Sequence, residues 1–259
     1  FAGIHLEDIG APRVFEIERR LSEELDIPVY HDDQTGTAIV VLAGLINAAK
    51  VVGKNLQQLK VLVNGIGAAG VATTKILLAV GLKNITLVDI DGVVRSDNQK
   101  YNSYQRELTT QVNQSVGATL DEVIVNQDVF VGLSDANVLT DSQVRRMAKK
   151  PIIFALANPV PEISPEEAIN AGAAVVATGS SQWPNQVNNV LVFPGLFKGL
   201  LSSGLKHVDM PLQIRVAHAL ADMIENPDAT HVVPGVFGKG NVHAVEQSIL
   251  DYAKQLSGN

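Results

Sequence analysis

Four acids stand in two pairs near the start of the chain, Glu7-Asp8 and Asp32-Asp33, each pair after a short apolar run. Packing does not account for adjacent carboxylates in such places, because like charges repel and need a counter-ion. A hard divalent cation, Mg²⁺ or Mn²⁺, would serve, since it takes oxygen ligands and keeps positions open for substrate oxygens. The plainer alternative is that these are solvated loop acids or helix caps. Asn158-Pro159 and Asn188-Asn189 lie at the ends of apolar runs or in loops. Their amides can bond a carboxylate, a hydroxyl or a carboxamide, and turn formation is the alternative. His5 and His31 lie near the acids but read as structural, and no H-x-x-x-H spacing occurs.

A second constellation is Gly65-Ile66-Gly67-Ala68-Ala69-Gly70. The spacing G-x-G-x-x-G is weak alone. Here an apolar run, Val61–Val63, precedes it and an apolar helical stretch to Val80 comes after it. A second run, Ile85–Val88, then ends in Asp89. Gly65 would allow the tight turn, Gly67 the approach of a pyrophosphate, and Gly70 close helix packing. The N–H groups of the helix N-terminus would face the phosphates. Asp89 stands about 20 residues past the last glycine, where a ribose hydroxyl is held in dinucleotide-binding folds. Ala68 and Ala69 inside the turn, and Ser134 just past the run Asp128–Val131, join the glycines as cofactor-binding candidates.

These residues need a scaffold, and the chain alternates apolar runs with helical patterns. Helices are expected after Pro12, over 38–52, after the glycine turn, over 141–149 and from Ser164-Pro165. Three more are expected near 194–205, 211–224 and 242–256. The segment 96–114 reads as loop with some helix, and Asp121–Val125 as a short helix or strand. Strands are expected at 28–31, 61–63, 85–88, 128–131, 151–156 and 173–177. Wholly apolar strands between helices predict an α/β fold, a doubly wound parallel sheet of Rossmann-like, NAD-binding type with flanking helices. A boundary near Thr35 divides the chain into 1–34, a remnant of a substrate and metal domain, and 35–259, an NAD-binding domain with C-terminal helices.

Composition narrows the partners. The chain has 259 residues, 46% hydrophobic and 18% charged, with a net charge of −7. An acidic balance disfavours nucleic acid and anionic membranes. Without cysteine there are no disulfides or thiolate sites, which fits a reducing cytoplasm. The apolar runs read as too broken to span a membrane. The opening Phe1-Ala2-Gly3-Ile4-His5-Leu6 reads as the middle of a fold, so an N-terminal portion is expected to be missing.

Several segments together resemble the malic enzyme family, particularly its smaller bacterial members. They are Leu6-Glu7-Asp8-Ile9, His31-Asp32-Asp33-Gln34-Thr35-Gly36-Thr37-Ala38, Phe154-Ala155-Leu156-Ala157-Asn158-Pro159, Pro184-Asn185-Gln186-Val187-Asn188-Asn189 and Phe193-Pro194-Gly195. The resemblance implies oxidation and decarboxylation of L-malate to pyruvate and CO₂ with NAD or NADP and Mg²⁺ or Mn²⁺. It implies Glu7, Asp8 and Asp33 as metal ligands, and Asp32 and Asp33 as catalytic, with Asp32 near a catalytic lysine. It also implies Asn158 and Asn189 on substrate and Asn188 on the cofactor. The family usually has histidine at Thr35, arginine at Ser180 and Asp-Tyr at Gln182-Trp183. Its proton-transferring tyrosine and lysine lie upstream of these segments. NAD and a homodimer are expected. The alternatives are a dinucleotide-binding module with no activity of its own, and an amino-acid dehydrogenase, which would not need the acids.

Overall fold

A wholly apolar strand has no face to turn to water, so it must be covered on both sides. The computed structural model, which describes residues 1–114 and 117–258, meets that requirement with a six-stranded sheet between two helical layers. The first strands stand apart from this sheet. Strands β1 (Ile4–Leu6) and β2 (Val29–His31) pair in parallel as a separate two-stranded sheet, linked by helix α1 (Arg13–Glu24). After β2 the backbone makes a π-helical turn, Asp32–Gly36, that runs directly into α2 (Thr37–Val52). Gly53, in the left-handed region with φ 71°, ends α2.

The main sheet begins with β3 (Lys60–Asn64), α3 (Ala68–Ala79) and β4 (Asn84–Asp89). A two-residue edge strand, β5 (Gly92–Val93), comes next, then short helices α4 (Ser103–Thr109) and α5 (Leu120–Val123). After these come β6 (Val129–Gly132), α6 (Asp141–Arg145), β7 (Ile152–Ala155), α7 (Pro165–Asn170) and β8 (Val175–Thr178). Helices α8 (Phe193–Ser203), α9 (Met210–Ala221) and α10 (Asn241–Ser257) complete the chain.

The strand order is β5-β4-β3-β6-β7-β8, parallel throughout except for β5, which runs against β4. From β3 the chain builds outward to β4, then returns to the other side of β3 as β6. That reversal opens a crevice beyond the C-terminal ends of β3 and β6, where ligands of such sheets bind.

Alternation along each strand sorts the core into two layers. Val61, Val63, Val129, Val131, Ile152 and Phe154 face the larger layer, which holds α2, α3 and α8–α10. Leu62, Phe130, Ile153 and Ala155 face the smaller layer with α5, α6 and α7. Val14, Phe15 and Tyr30, from the first 34 residues, belong to the larger core.

Two expectations need correction. Helix α6 ends at Arg145, not near Lys149. The Arg146 carbonyl instead accepts from Asn126 N, and Ala148 N donates to the Gln127 carbonyl, so the backbone turns away to meet the segment before β6. The apolar runs are also not all too short for a membrane, because the π-helical turn makes Asp32–Val52 one continuous helix of 21 residues. It is long and apolar enough to cross a bilayer by length and composition, but 83% of its apolar window is buried in this structure. It is the central helix of the larger core layer.

Candidate functional site

The glycine turn joins β3 to α3 across the switch point. Gly65 has φ 97°, and its N–H bonds the Val88 carbonyl at 2.8 Å, so the β3–β4 hydrogen bonding runs on to the first residue of the turn. A methyl on Gly65 would strike the Leu133 carbonyl, and one on Gly70 would strike the carbonyl of Gly65. A methyl on Gly67 would meet nothing within 4 Å. Two glycines are therefore required by contact within the chain. The third faces open space, which suits a backbone that a ligand approaches. Gln105 of α4 donates to the Ile66 carbonyl at 2.7 Å and steadies the turn.

Two clefts meet at this point. The outer one, about 650 Å³, is lined by Gly65, Gly67, Asp89, Asp91, Ser134 and neighbours. The inner one, about 300 Å³, is lined by Asp33, Ala69, Ser134, Asn158, Asn188 and Asn189 among others. Leu133 and Ser134 line both, so the two clefts adjoin along the strand ends. Asp89 ends β4 half-buried. Burial pushes its carboxyl above the usual range, against the N–H groups of Ile90 and Ile66, which hold the ionised form. Beside it, Asp91 pairs with Lys100 at 2.9 Å. Ser134 Oγ accepts from Asn64 Nδ2 at 2.9 Å. Asn188 Oδ1 accepts from Val190 N at 2.9 Å, which leaves its amide nitrogen as the end able to donate to a ligand.

The acids of the first strands gather in two adjacent groups. His5, Glu7 and Asp32 each offer a ligand atom, all within 4.8 Å of one another, and His5 Nε2 is 3.2 Å from Glu7 Oε2. Asp33 Oδ2 accepts from Asp8 N at 2.9 Å and lies 3.4 Å from His31 Nε2. The backbone of Asp8 is left-handed, φ 57°, which turns its N–H toward Asp33. The side chain of Asp8 is exposed and lies outside the first group. Asp32 is 4% exposed and accepts from the Tyr30 hydroxyl at 2.6 Å. Burial pushes its carboxyl upward, partly offset by that hydrogen bond. Burial holds His31 below the usual imidazole range, and so neutral at pH 7.

The donor set suits a divalent cation. His5 Nε2 and both ring nitrogens of His31 are buried without a hydrogen-bond partner among the described residues. Imidazole nitrogens left unsatisfied beside carboxylates are what a borderline divalent cation would complete.

Of the residues singled out in the sequence, Gly65, Gly67, Asp89 and Ser134 line the outer cleft. Asp33, Ala69, Ser134, Asn158, Asn188 and Asn189 line the inner one. Gly70 and Asp32 lie behind these surfaces in packing and hydrogen-bonding positions. Ala68 begins α3, and Glu7 and Asp8 sit just past β1. His5 reads as structural in the sequence, and only the pairing of β1 with β2 brings it to Asp32. Glu162, fully buried behind the inner cleft, is marked by no spacing or motif.

Comparison with known proteins agrees with this geometry. Residues 34–239 match the family described as "Malic enzyme, NAD binding domain". An NAD-dependent malic enzyme of Geobacillus stearothermophilus is 47% identical over 98% of this chain and 53% of its own length. An NADP-dependent malic enzyme of Halomonas elongata is 43% identical over 88% of this chain and 54% of its own. The chain thus spans about half the length of these curated relatives. The crystal structure of a malic enzyme from Pyrococcus horikoshii superposes with a TM-score of 0.95 at 39% identity, over 99% of this chain and 62% of that one. The chain therefore belongs to the malic enzyme family, and its residues 34–239 correspond to that family's NAD-binding domain.

Proposed function

We propose that this chain is the cofactor- and metal-binding part of an NAD-dependent enzyme that converts L-malate to pyruvate and CO₂. One observation carries the proposal. Asp33, Asn158, Asn188 and Asn189 line one cleft, and that cleft adjoins the one over the glycine turn at Leu133 and Ser134. In this reading the turn at Gly67 receives the pyrophosphate and Asp89 accepts from the ribose hydroxyls. The amide nitrogen of Asn188 donates to the nicotinamide end. The amides of Asn158 and Asn189 hold malate's carboxylate and hydroxyl, which fixes C2 toward the cofactor.

Glu7, Asp8 and Asp33 would hold Mg²⁺ or Mn²⁺, although the structure gathers Glu7 with His5 and Asp32 and leaves the Asp8 side chain exposed; the ion would supply Lewis acidity at the oxygen on C2. NAD supplies the hydride acceptor. The reaction removes a hydride from C2 and the proton of the C2 hydroxyl. It then breaks C3–C4 to release CO₂, and C3 takes up a proton. Asp32, buried against Tyr30, holds the π-helical turn in place so that Asp33 faces the cleft.

Oxidation and decarboxylation of malate also need a proton acceptor and a proton donor. Among the described residues, no lysine or tyrosine lines the inner cleft, and Tyr30 is 1% exposed with its hydroxyl engaged by Asp32. This favours a second reading, in which the chain binds NAD and metal but does not turn malate over alone.

NAD is the proposed cofactor over NADP. The Asp89 carboxylate would repel a 2′-phosphate, and Asp91 already neutralises the nearby Lys100. A like-charge contact in a partly dry site costs on the order of a few kcal/mol. Calorimetric titration tests both points. NAD should bind and NADP should bind more weakly, with the preference narrowed in Asp89→Ser. Tighter binding of NADP by the unaltered chain would overturn the assignment of Asp89.

A further inference from the structure

Glu162 has no exposure to solvent and sits on the segment between β7 and α7. Its two carboxylate oxygens point in different directions. Oε1 accepts from the backbone N–H of Ser134 at 3.1 Å, and Oε2 accepts from that of Ala157 at 3.0 Å. Those N–H groups belong to the loops that leave the C-terminal ends of adjacent strands, β6 and β7. One loop carries Ser134 and the other runs straight into Asn158, and both line the inner cleft. The backbone around Glu162 is tied to the same region, since Asn137 N donates to the Pro161 carbonyl and Leu139 N to that of Glu162.

The space for this side chain is specific. A methyl group on Gly132, the last residue of β6, would collide with the Glu162 carboxylate and lie 2.8 Å from its Cγ. The strand end is therefore bare where the carboxylate passes beneath it. Burying a carboxylate is unfavourable unless hydrogen bonds compensate, and burial does push the Glu162 carboxyl upward, opposed chiefly by the N–H groups of Ala157 and Ser134. An apolar side chain would fill the same volume, but it would leave two buried N–H donors without an acceptor.

We infer that Glu162 is a positioning residue, a buried clamp that fixes the Ser134 loop against the Ala157–Asn158 loop and so sets the distance between the cofactor and substrate ends of the cleft. The inference rests on the proposed assignment of those two ends. It requires both oxygens to accept. Glutamine keeps the shape but replaces one acceptor with an NH₂ group that opposes an N–H, so it can hold only one loop. Aspartate keeps the charge but is a methylene too short to reach both.

The test is titration of the chain and of Glu162→Gln and Glu162→Asp with NAD and, separately, with AMP, well below the unfolding temperature of each. AMP occupies only the outer cleft, where Ser134 is one lining residue beside Gly65, Gly67, Asp89 and Asp91, none of which Glu162 holds. Losing one charge-assisted hydrogen bond should weaken NAD binding about tenfold in both variants, with AMP binding within about twofold of the unaltered chain. A merely structural role lowers the unfolding temperature without separating NAD from AMP. A folded variant with unaltered NAD affinity, or equal losses for both ligands, would overturn the inference. If the unaltered chain binds no NAD, the functional reading itself fails. In that case, or if neither variant folds, hydrogen exchange of the Ser134 and Ala157 amides in the unaltered chain decides. Both should be strongly protected, and solvent-like exchange at either would overturn the clamp.

Discussion

Gly67 and Gly70 lie within one turn, yet the structure gives them opposite tasks, and alanine substitutions should separate these. At Gly70 a methyl group would overlap the Gly65 carbonyl, a backbone atom that cannot swing aside. Either α3 lifts from β3 or the turn opens. Overpacking of this kind typically costs about 1–3 kcal/mol. A chain of 259 residues has an unfolding entropy near 0.5 kcal/mol per degree, so Gly70→Ala should lower the unfolding temperature by about 2–6 °C. At Gly67 the methyl meets nothing within 4 Å, and the backbone, at φ −67° and ψ −162°, is open to alanine. Reduced freedom of the unfolded chain and a slightly poorer helix cap nearly cancel, leaving a change within about 0.5 kcal/mol, or about 1 °C. The same methyl, however, points into the groove where the pyrophosphate is proposed to lie. NAD affinity should then fall at least about tenfold in Gly67→Ala, as it does when a ligand group loses close backbone contact. Differential scanning calorimetry and titration calorimetry on both variants give the four numbers needed. Unaltered NAD binding in Gly67→Ala would refute the pyrophosphate assignment. An unaltered unfolding temperature in Gly70→Ala would refute the packing argument.

The same structure leads to other expected outcomes. Asp33→Ala should sharply weaken Mn²⁺ binding, measured by water-proton relaxation, because it removes a ligand and a compensating charge. Equal titrations for variant and unaltered chain would remove Asp33 from the ligand set. Glu18, which accepts from Gln34 Nε2 at 2.8 Å, has its carboxyl raised chiefly by burial. A carboxyl raised on folding stabilises fully below its ordinary value of 4.5, and that contribution is lost as pH rises through the folded value. Between pH 5 and 8, at about the same ionic strength, the unaltered chain should therefore lose more thermal stability than Glu18→Gln, and parallel pH profiles would contradict the burial argument. With malate, Mn²⁺ and NAD⁺, the purified chain should bind its ligands without NADH production at about 10 per second, a rate typical of enzymes. Turnover at that rate would assign the proton transfer to a residue present here.

The sheet was legible because its signals are local. Runs such as Val61–Val63 and Ile152–Phe154 have no polar face, and the glycine turn after Val63 marks the passage from strand to helix. Asn158 was also legible, since it stands where the apolar run to Ala157 stops, whereas Asn188 and Asn189 read only as loop amides. The features that were not legible depend on distant partners. Strand β5 is two residues long and is set by pairing with β4, so it has no period of its own. The π-helical turn at Asp32–Gly36 separates two neighbouring acids, sending Asp32 inward to Tyr30 and leaving Asp33 on the cleft. His5 meets Asp32 only through the register Leu6↔His31 between strands separated by a helix. Glu162 looks like an ordinary loop acid until β6 and β7 lie side by side and bring two N–H groups to it.

In the proposed function, metal and nicotinamide meet in the inner cleft while the adenosine lies in the outer one. Mn²⁺ bound to the chain is paramagnetic and broadens nearby protons steeply with distance, so proton NMR of NAD in the presence of substoichiometric chain and Mn²⁺ measures this directly. The nicotinamide protons should broaden far more than the adenine protons, because Asp33 lines the inner cleft and Asp89 the outer one. The difference should vanish in Asp33→Ala. Equal broadening at both rings, stronger broadening at the adenine, or an unchanged pattern in Asp33→Ala would contradict the account.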